Sequence, residues 1–176
     1  MARMAMTDPA KATGRVKEIF EGPLKGKAFN IFKMMASSPA ALEAYVGLAG
    51  ALNKGSLTIK EREAIQLALA QANDCGYCIA AHTAIGTMSG MTTEQTVEAR
   101  RGRMTDPKLS ALVRFALALN EKRGHVDDAA VAAVRAAGYG DAQIAEILAT
   151  VALAIYTNWF NHVAQTPTDF PPPPAL

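Results

Sequence analysis

The sequence predicts an all-α protein that folds as a single-domain helical bundle. Alanine, which favours helix and lets helices approach one another closely, is very abundant in the chain. Helix start and stop signals recur along its length. No segment shows the sustained alternation with β-branched enrichment that would predict a strand. With 176 residues, half of them hydrophobic, the chain is long enough to bury one core.

The upstream helices are predicted from their capping residues. The first two are suggested by the segments AFNIFKMMAS and SPAALEAYVGLAGALNKG, the second with Pro39 near its start and Gly55 as its stop. Thr58 and Glu61 then form a capping-box pattern. They predict a helix from residue 59 to about residue 72.

The downstream helices have a Thr or Asp at the start, and two of them end at a glycine. Asp106 followed by Pro107 is a particularly clear start, because proline fits the first helical position. The predicted helices run from Thr92 or Thr93 to about Arg101, from Asp106 to Gly124, from Asp127 or Asp128 to Gly138, and from Asp141 or Ala142 to about Val163.

The chain is predicted to hold one domain with an extension at each end. Residues 1–13 are expected to form a flexible N-terminal arm, and residues 14–165 the all-α domain. Residues 166–176, TPTDFPPPPAL, are too rich in proline for a helix and are expected to form an extended tail.

Charge and hydropathy argue against nucleic-acid and membrane partners. The formal net charge is +2, and the short basic cluster RRGR at residues 100–103 is interpreted as a solvated helix end. The N-terminal residues lack the apolar core of a signal peptide. The longest apolar run, at residues 147–156, is too short to span a bilayer. We therefore expect a cytoplasmic protein, in a compartment where thiols are kept reduced.

Both cysteines of the chain lie in one Cys-x-x-Cys motif. Asn73 or Asp74 is expected to end the preceding helix and to cap a new one, with Cys75 in its first turn. At about 100° per residue, Cys75, Cys78 and His82 fall on one helix face. A helix start stabilises thiolate, and a neighbouring histidine can accept the thiol proton.

Three interpretations of this motif are open from the residues alone. The cysteines could simply pack on a buried face, or Cys75, Cys78 and His82 could supply three zinc ligands. The third interpretation is thiol redox chemistry, which a reduced Cys pair in the cytoplasm favours. A c-type haem is excluded because Ile79, not histidine, follows the second cysteine. A thioredoxin-type site would need a strand before the motif.

The spacing of these residues resembles a known family. Glu63, Cys75, Cys78 and His82, within NDCGYCIAAHTAIG, are similar to the active-site signature of the alkylhydroperoxidase D-like branch of the carboxymuconolactone decarboxylase superfamily. The closing YTNWFNHVA at residues 156–164 resembles the end of that family's last helix. The resemblance covers roughly residues 25–165. One departure is Tyr77, which stands where the best-studied members have a histidine.

The resemblance implies a dithiol peroxidase with a role in antioxidant defence. Cys78 would attack the hydroperoxide and Cys75 would close a disulfide, although position alone would favour Cys75, nearer the helix start, as the attacker. His82 and Glu63 would form a proton relay. An unknown dithiol would be the reductant, and the chain would assemble as a homo-oligomer, a trimer or hexamer. No cofactor and no metal are expected.

Other interpretations remain for the function and for two groups of residues. The chain could be a non-redox carboxymuconolactone decarboxylase-like lyase using His82 and Glu63, or a redox-sensing dithiol module. Glu63 lies in the charged run KERE, which alone would suggest a solvated surface. A polar and aromatic cluster ends the last helix and is interpreted mainly as structural, with an active-site or oligomer contact as the alternative: Tyr156, Asn158, Trp159, Asn161 and His162.

Overall fold

The protein is all-helical, as the sequence predicts. The computed structural model describes residues 2–176 and contains no strand within them. A short 3₁₀ turn at Pro9–Lys11 precedes the α-helices. In chain order these are α1 (Gly14–Glu21), α2 (Asn30–Met35), α3 (Pro39–Leu52), α4 (Ile59–Ala72), α5 (Gly76–Met88), α6 (Thr93–Arg100), α7 (Pro107–Glu121), α8 (Asp128–Ala136) and α9 (Asp141–Ala164).

The predicted capping residues are confirmed at most helix starts. Thr58 and Glu61 form a capping box on α4, and Thr92 forms one with Gln95 on α6. Asp106 caps α7, and its side chain accepts from the backbone N–H of two first-turn residues. Asp127 caps α8 by accepting the backbone N–H of Ala130. Start signals of this kind are local, which is why a sequence can reveal them.

One helix is absent from the prediction. α1 buries Val16, Ile19 and Phe20, spaced three and four residues apart. That spacing is the apolar stripe of an amphipathic helix. No capping side chain marks its start, because Thr13 makes no side-chain hydrogen bond there.

Helix α4 forms the centre of the bundle. It packs against α5, α6, α7 and α9, and its side chains are buried on every face from Ala64 to Ala70. A helix enclosed in this way needs apolar residues all round instead of on one stripe. One apolar cluster joins it to α7, α8 and α9, and a second lies between α5 and the N-terminal helices. The site described below lies at this second cluster.

Both chain ends pack on the helical body. In the N-terminal arm, backbone N–H groups donate from Arg3 to the Ala164 carbonyl and from Thr7 to the Lys33 carbonyl. The tail has no helix, and Arg100 donates to the carbonyl of Pro174 within it. The flexibility expected of the arm stays a prediction. Among the helices described, none combines the length and hydropathy that a bilayer crossing requires.

Candidate active site

The turn between α4 and α5 presents the Cys-x-x-Cys motif. Asn73 is the C-cap of α4, and Asp74 follows in a left-handed conformation with φ of 53°. Cys75 is itself the N-cap of α5, where its Sγ accepts the backbone N–H of Cys78 at 3.3 Å. The prediction that Asn73 or Asp74 caps this helix is therefore wrong. Those two residues are used to end α4 and reverse the chain, so the capping position falls to the cysteine.

Cys75 and Cys78 form a disulfide, with their Cα atoms 5.3 Å apart. Both residues are 2% exposed. The sulfurs meet because three residues of a helix start bring the two side chains to the same side of α5. Cys78 lines a cavity, whereas Cys75 is not among the residues of its wall. Within this pair, Cys78 is therefore the cysteine that a molecule bound in the cavity can contact.

Glu63 and His82 form a buried hydrogen-bonded pair. Oε2 of Glu63 lies 2.7 Å from Nδ1 of His82, with the two side chains 11% and 18% exposed. Glu63 lies on the second turn of α4, and His82 lies one turn beyond Cys78 on α5. Glu63 is therefore not the solvated surface charge that the KERE run alone would suggest. Its carboxylate fixes the imidazole from behind, so that Nε2 is the ring nitrogen left for chemistry.

The charge of Glu63 also acts on Tyr45 of α3. The pKa of Tyr45 is raised to about 12, first because the phenol is buried and second because the Glu63 carboxylate disfavours a phenolate. Tyr45 lines the same cavity as Glu63, Cys78 and His82. It is therefore a neutral phenol at physiological pH.

Side chains from α7 and α9 hold the turn before the cysteines. Asn120 donates to the side-chain oxygen of Asn73, and Asn73 donates to Asn158, both at 2.9 Å. His162 Nε2 donates to the backbone carbonyl of Asn73 at 2.7 Å. Much of the polar cluster at the end of α9 is thus structural, as interpreted from the sequence. It fixes the α4–α5 turn against the last helix.

Asn161 is the member of that cluster that reaches the cysteines. Its Nδ2 donates to Sγ of Cys78 at 3.3 Å, and its side chain lines the cavity. Asn161 was not one of the four predicted site residues, and an active-site contact was only the alternative interpretation of its cluster. A sequence-level signal exists, because a polar residue on the buried face of an apolar helix needs a partner.

The cavity has a volume of about 800 Å³ and is largely apolar. Residues 23–32, helix α3 and helix α5 form most of its wall, and Cys78, His82 and Glu63 lie along it. Phe170 of the tail closes one side, with its ring centroid 4.7 Å from that of Phe29. The tail is therefore part of the site, which its composition did not indicate.

Tyr77 joins the tail to the motif. Its hydroxyl donates to Oδ1 of Asp169 at 2.7 Å, and its ring meets Phe170 edge to face at 5.6 Å. The pKa of Tyr77 is raised well above its usual range, because the residue is buried and because it donates to the Asp169 carboxylate. Asp169 also accepts the backbone N–H of Asn30 at 2.8 Å. At the position where the sequence departs from the signature that it resembles, Tyr77 is therefore a neutral anchor for the tail.

The structure brings all four predicted site residues into one region: Glu63, Cys75, Cys78 and His82. Their roles in a reaction stay predictions. Asn161, Asp169 and Phe170 complete the region and come from distant parts of the chain. Within residues 2–176, no group of three or more His, Cys, Asp and Glu side chains is placed to hold a metal ion.

Residues 39–121 match the family model described as the carboxymuconolactone decarboxylase family. That span holds α3 to α7, including the cysteines, Glu63 and His82. No curated protein matches the sequence.

Solved structures with the same fold include peroxidase-related proteins. One, an uncharacterized peroxidase-related protein with an alkylhydroperoxidase AhpD core from Ralstonia eutropha JMP134, has a TM-score of 0.85 and 25% identity, covering 96% of this chain and 92% of that chain. A second, from Silicibacter sp. TM1040, has a TM-score of 0.79 and 20% identity, covering 94% and 89%.

A third similar structure is the debrominase Bmp8, with a TM-score of 0.80 and 20% identity, covering 95% of this chain and 92% of that one. A variant of that debrominase has been solved in complex with 2,3,4-tribromopyrrole. At this level of identity the likeness shows a shared fold.

Proposed function

Because this chain belongs to the alkylhydroperoxidase D-like branch of the carboxymuconolactone decarboxylase superfamily, we propose that it is a dithiol peroxidase that reduces hydroperoxides. One observation carries the proposal. The Cys75–Cys78 pair lies at disulfide distance at the start of α5, beside a cavity that also holds the bonded Glu63–His82 pair. Such a reaction needs a thiol nucleophile, a second thiol to form the disulfide, and an adjacent base to take the thiol proton.

The reaction begins from the reduced protein. His82, held by Glu63, takes the proton of the Cys78 thiol. The thiolate attacks the terminal oxygen of R–O–O–H, so that an S–O bond forms and the O–O bond breaks. The electron pair leaves on the RO⁻ group, which takes the proton back and departs as the alcohol ROH. The sulfur of Cys78 is now a sulfenic acid.

The second half returns the protein to the disulfide. The Cys75 thiol attacks the sulfur of the sulfenic acid, an S–S bond forms, and water leaves. A dithiol reductant then reduces the disulfide by exchange through a mixed disulfide. In total, one hydroperoxide and one external dithiol become one alcohol, one water and one external disulfide.

Cys78 is the proposed attacker because it lines the cavity, whereas Cys75 does not. His82 also follows Cys78 by one helical turn. These placements favour the assignment that the family resemblance implies, over the one suggested by closeness to the helix start.

Steady-state reduction of cumene hydroperoxide with dithiothreitol as reductant tests this proposal. The wild-type protein should turn over, Cys78→Ser should be inactive, and Cys75→Ser should consume one hydroperoxide per chain and stop at the sulfenic acid. Full peroxidase activity after alkylation of both cysteines would contradict the proposal. Oxidation without turnover by any dithiol would favour a redox sensor.

A second candidate function is reductive removal of bromine from an aromatic ring. The observation that favours it is the size of the cavity and the number of aromatic side chains in its wall, including Phe29, Phe32 and Phe170. The same cysteines would supply the electrons, so that Ar–Br and the protein dithiol become Ar–H, the protein disulfide and HBr. Release of bromide from 2,3,4-tribromopyrrole by the reduced protein, lost in Cys78→Ser, distinguishes this activity.

A further inference from the structure

The sulfur of Cys78 has a side-chain hydrogen-bond donor that the proposed relay does not use. Nδ2 of Asn161 lies 3.3 Å from Cys78 Sγ. Across residues 2–176, no other side chain donates to this sulfur. His82 and Glu63 bond to each other at the same cavity, so the asparagine and the acid–base pair contact different partners.

The carbonyl end of the same amide is buried without a partner. Asn161 is 6% exposed, and its Oδ1 has no hydrogen-bond partner among the described residues. A buried acceptor left unpaired costs free energy, so an unpaired one at a functional cavity calls for a ligand as its partner. The side chain lines the cavity in which the substrate must meet Cys78. The amide of Asn161 therefore carries both the donor to the Cys78 sulfur and an acceptor that has no partner.

The position of Asn161 is fixed by its neighbours on α9. Asn158 and His162 both bond to Asn73, in the turn that leads into the cysteines. Bonds on both sides of Asn161 therefore hold α9 against the turn between α4 and α5. The amide is held in place before the substrate arrives, which is the requirement for electrostatic stabilisation of a reacting atom.

We propose that Asn161 is a further catalytic residue: its Nδ2–H stabilises the Cys78 thiolate, and its Oδ1 accepts the O–H of the hydroperoxide. This inference rests on the proposed peroxidase function. A neutral sulfur is a weak acceptor, whereas a thiolate makes a charge-assisted bond. The contact therefore favours the attacking form of the cysteine.

The acceptor end of the amide acts on the oxygen that is transferred. In R–O–O–H the terminal oxygen carries the hydrogen, and this is the oxygen that the thiolate attacks. A hydrogen bond from that O–H to Oδ1 aims the oxygen at the sulfur while Nδ2 holds the sulfur. After attack the same O–H belongs to the Cys78 sulfenic acid, and Oδ1 keeps it in place until Cys75 displaces it as water.

The donor role can be measured without any peroxide. In a Cys75→Ser background, the rate of Cys78 alkylation by iodoacetamide reports the fraction of thiolate at each pH. Asn161→Ala removes the donor, and Asn161→Asp keeps the size but places a negative charge beside the sulfur. We expect alkylation near pH 7 to slow by about tenfold for Ala and by more for Asp, with the three proteins converging at high pH.

The other charged and titratable groups at this cavity are the same in all three proteins, so a difference between them is due to Asn161. They are Lys27, Tyr45, Arg62, Glu63, Tyr77 and His82. Gln165→Ala serves as a matched control, because it removes an exposed amide whose Nε2–H donates to a backbone carbonyl. It should follow the wild-type profile.

The acceptor role is measured at a pH where Cys78 is fully ionised in every protein. There, Asn161→Ala should react with cumene hydroperoxide about tenfold more slowly than wild type although alkylation is unchanged. Asn161→Asp, which keeps an acceptor oxygen, should regain part of that loss. Reduced variants are first compared by near-ultraviolet circular dichroism. If the Ala variant does not fold, Asn161→Leu, which keeps a similar size but has neither donor nor acceptor, takes its place.

Superimposable alkylation profiles for all three folded proteins would overturn the donor role. Equal peroxide rates at high pH would overturn the acceptor role. If the wild-type protein does not react with hydroperoxides at all, the proposed function and the acceptor role both fail. The alkylation profiles then still decide the donor role.

Discussion

The short contact between Glu63 and His82 is the residue-scale feature on which the proposed relay depends. A free cysteine has a pKa of about 8.5, so only a small part of it is thiolate at neutral pH. His82 can remove the thiol proton, and Glu63, 2.7 Å from Nδ1, holds the ring through that nitrogen and leaves Nε2 for the proton. The two residues should therefore act as one unit.

Replacing either residue by glutamine should slow the reaction of Cys78 with peroxide at pH 7 by roughly tenfold or more, within the usual range for a general base. Raising the pH to about 9 should recover much of the loss, because hydroxide then deprotonates the thiol. His82→Gln and Glu63→Gln combined should cost less than the sum of the single changes. Stopped-flow peroxide consumption from about pH 6 to about pH 9.5 measures these rates.

Glu121→Gln is the control for this series, because Glu121 is an exposed residue at the end of α7. It should match the wild-type rate throughout. If Glu63→Gln did so as well, Glu63 would have no part in the relay.

At the scale of one helix, the N-terminus of α4 carries a buried carboxylate. Glu61 is 6% exposed and accepts the backbone N–H and the hydroxyl of Thr58, at 2.7 and 2.8 Å, and the hydroxyl of Tyr139 at 2.9 Å. Burial alone would raise the pKa of Glu61, but these hydrogen bonds and the nearby Lys108 outweigh it and lower the pKa.

Glu61→Gln should therefore destabilise the protein in a pH-dependent way. A group whose pKa is lower in the folded state stabilises the fold above its unfolded pKa of about 4.3, and that contribution is lost as the pH falls through the folded value. We expect the free energy of unfolding to fall by about 1–3 kcal/mol at pH 7, and by less below about pH 4. Urea unfolding at both pH values measures it.

Glu94→Gln provides the matched comparison, because Glu94 is also in the first turn of a helix but is exposed. Glu94→Gln should lower the free energy of unfolding by only a few tenths of a kcal/mol. An equal cost for Glu61→Gln at low and neutral pH would contradict the assigned ionised state.

The tail is an element whose contribution should depend on the substrate. Phe170 packs on Phe29 and Tyr77 at the cavity wall. Phe170→Ala should raise the KM for cumene hydroperoxide by about tenfold, the size expected from one lost apolar contact surface. Hydrogen peroxide, which has no apolar group to pack on this wall, should be reduced at the wild-type rate. Equal effects on the two substrates would exclude a specificity role for the tail.

Elements with local signals were predictable from the sequence, and long-range contacts were not. The capping box of Thr58 and Glu61 and the shared helix face of Cys75, Cys78 and His82 depend on neighbours within a few residues. The bonds from Asn161 to Cys78 and from Tyr77 to Asp169 span 83 and 92 residues. No periodicity encodes such a pairing, since it follows from how α9 and the tail pack on α5.

At the scale of the whole molecule, α9 leaves an apolar stripe on the surface. Leu148, Trp159 and Val163 are 47%, 65% and 65% exposed, at spacings that place them on one face. An exposed stripe of this kind fits the homo-oligomer that the sequence predicts, with closed symmetry the usual outcome. The stripe lies on a different part of α9 from Asn161, which faces the cavity.

Light scattering should therefore give a mass that is a multiple of the 18.6 kDa chain at micromolar concentration. Trp159→Glu should shift the protein toward the single chain, because a charge would be buried at the contact. Leu176→Glu, which places the same charge at an exposed apolar residue outside α9, is the control and should leave the mass unchanged. A wild-type mass of one chain at every concentration would contradict the assembly.

The central claim is that Cys75 and Cys78 are a dithiol that hydroperoxide converts to a disulfide. It is tested by mixing the fully reduced protein, without oxygen, with one equivalent of cumene hydroperoxide, and by following the intact mass and the alcohol formed. We predict one alcohol per chain and a mass lower by two hydrogen atoms, restored by dithiothreitol. Unchanged free thiols, or stable addition of oxygen to the cysteines with no disulfide, would contradict the account.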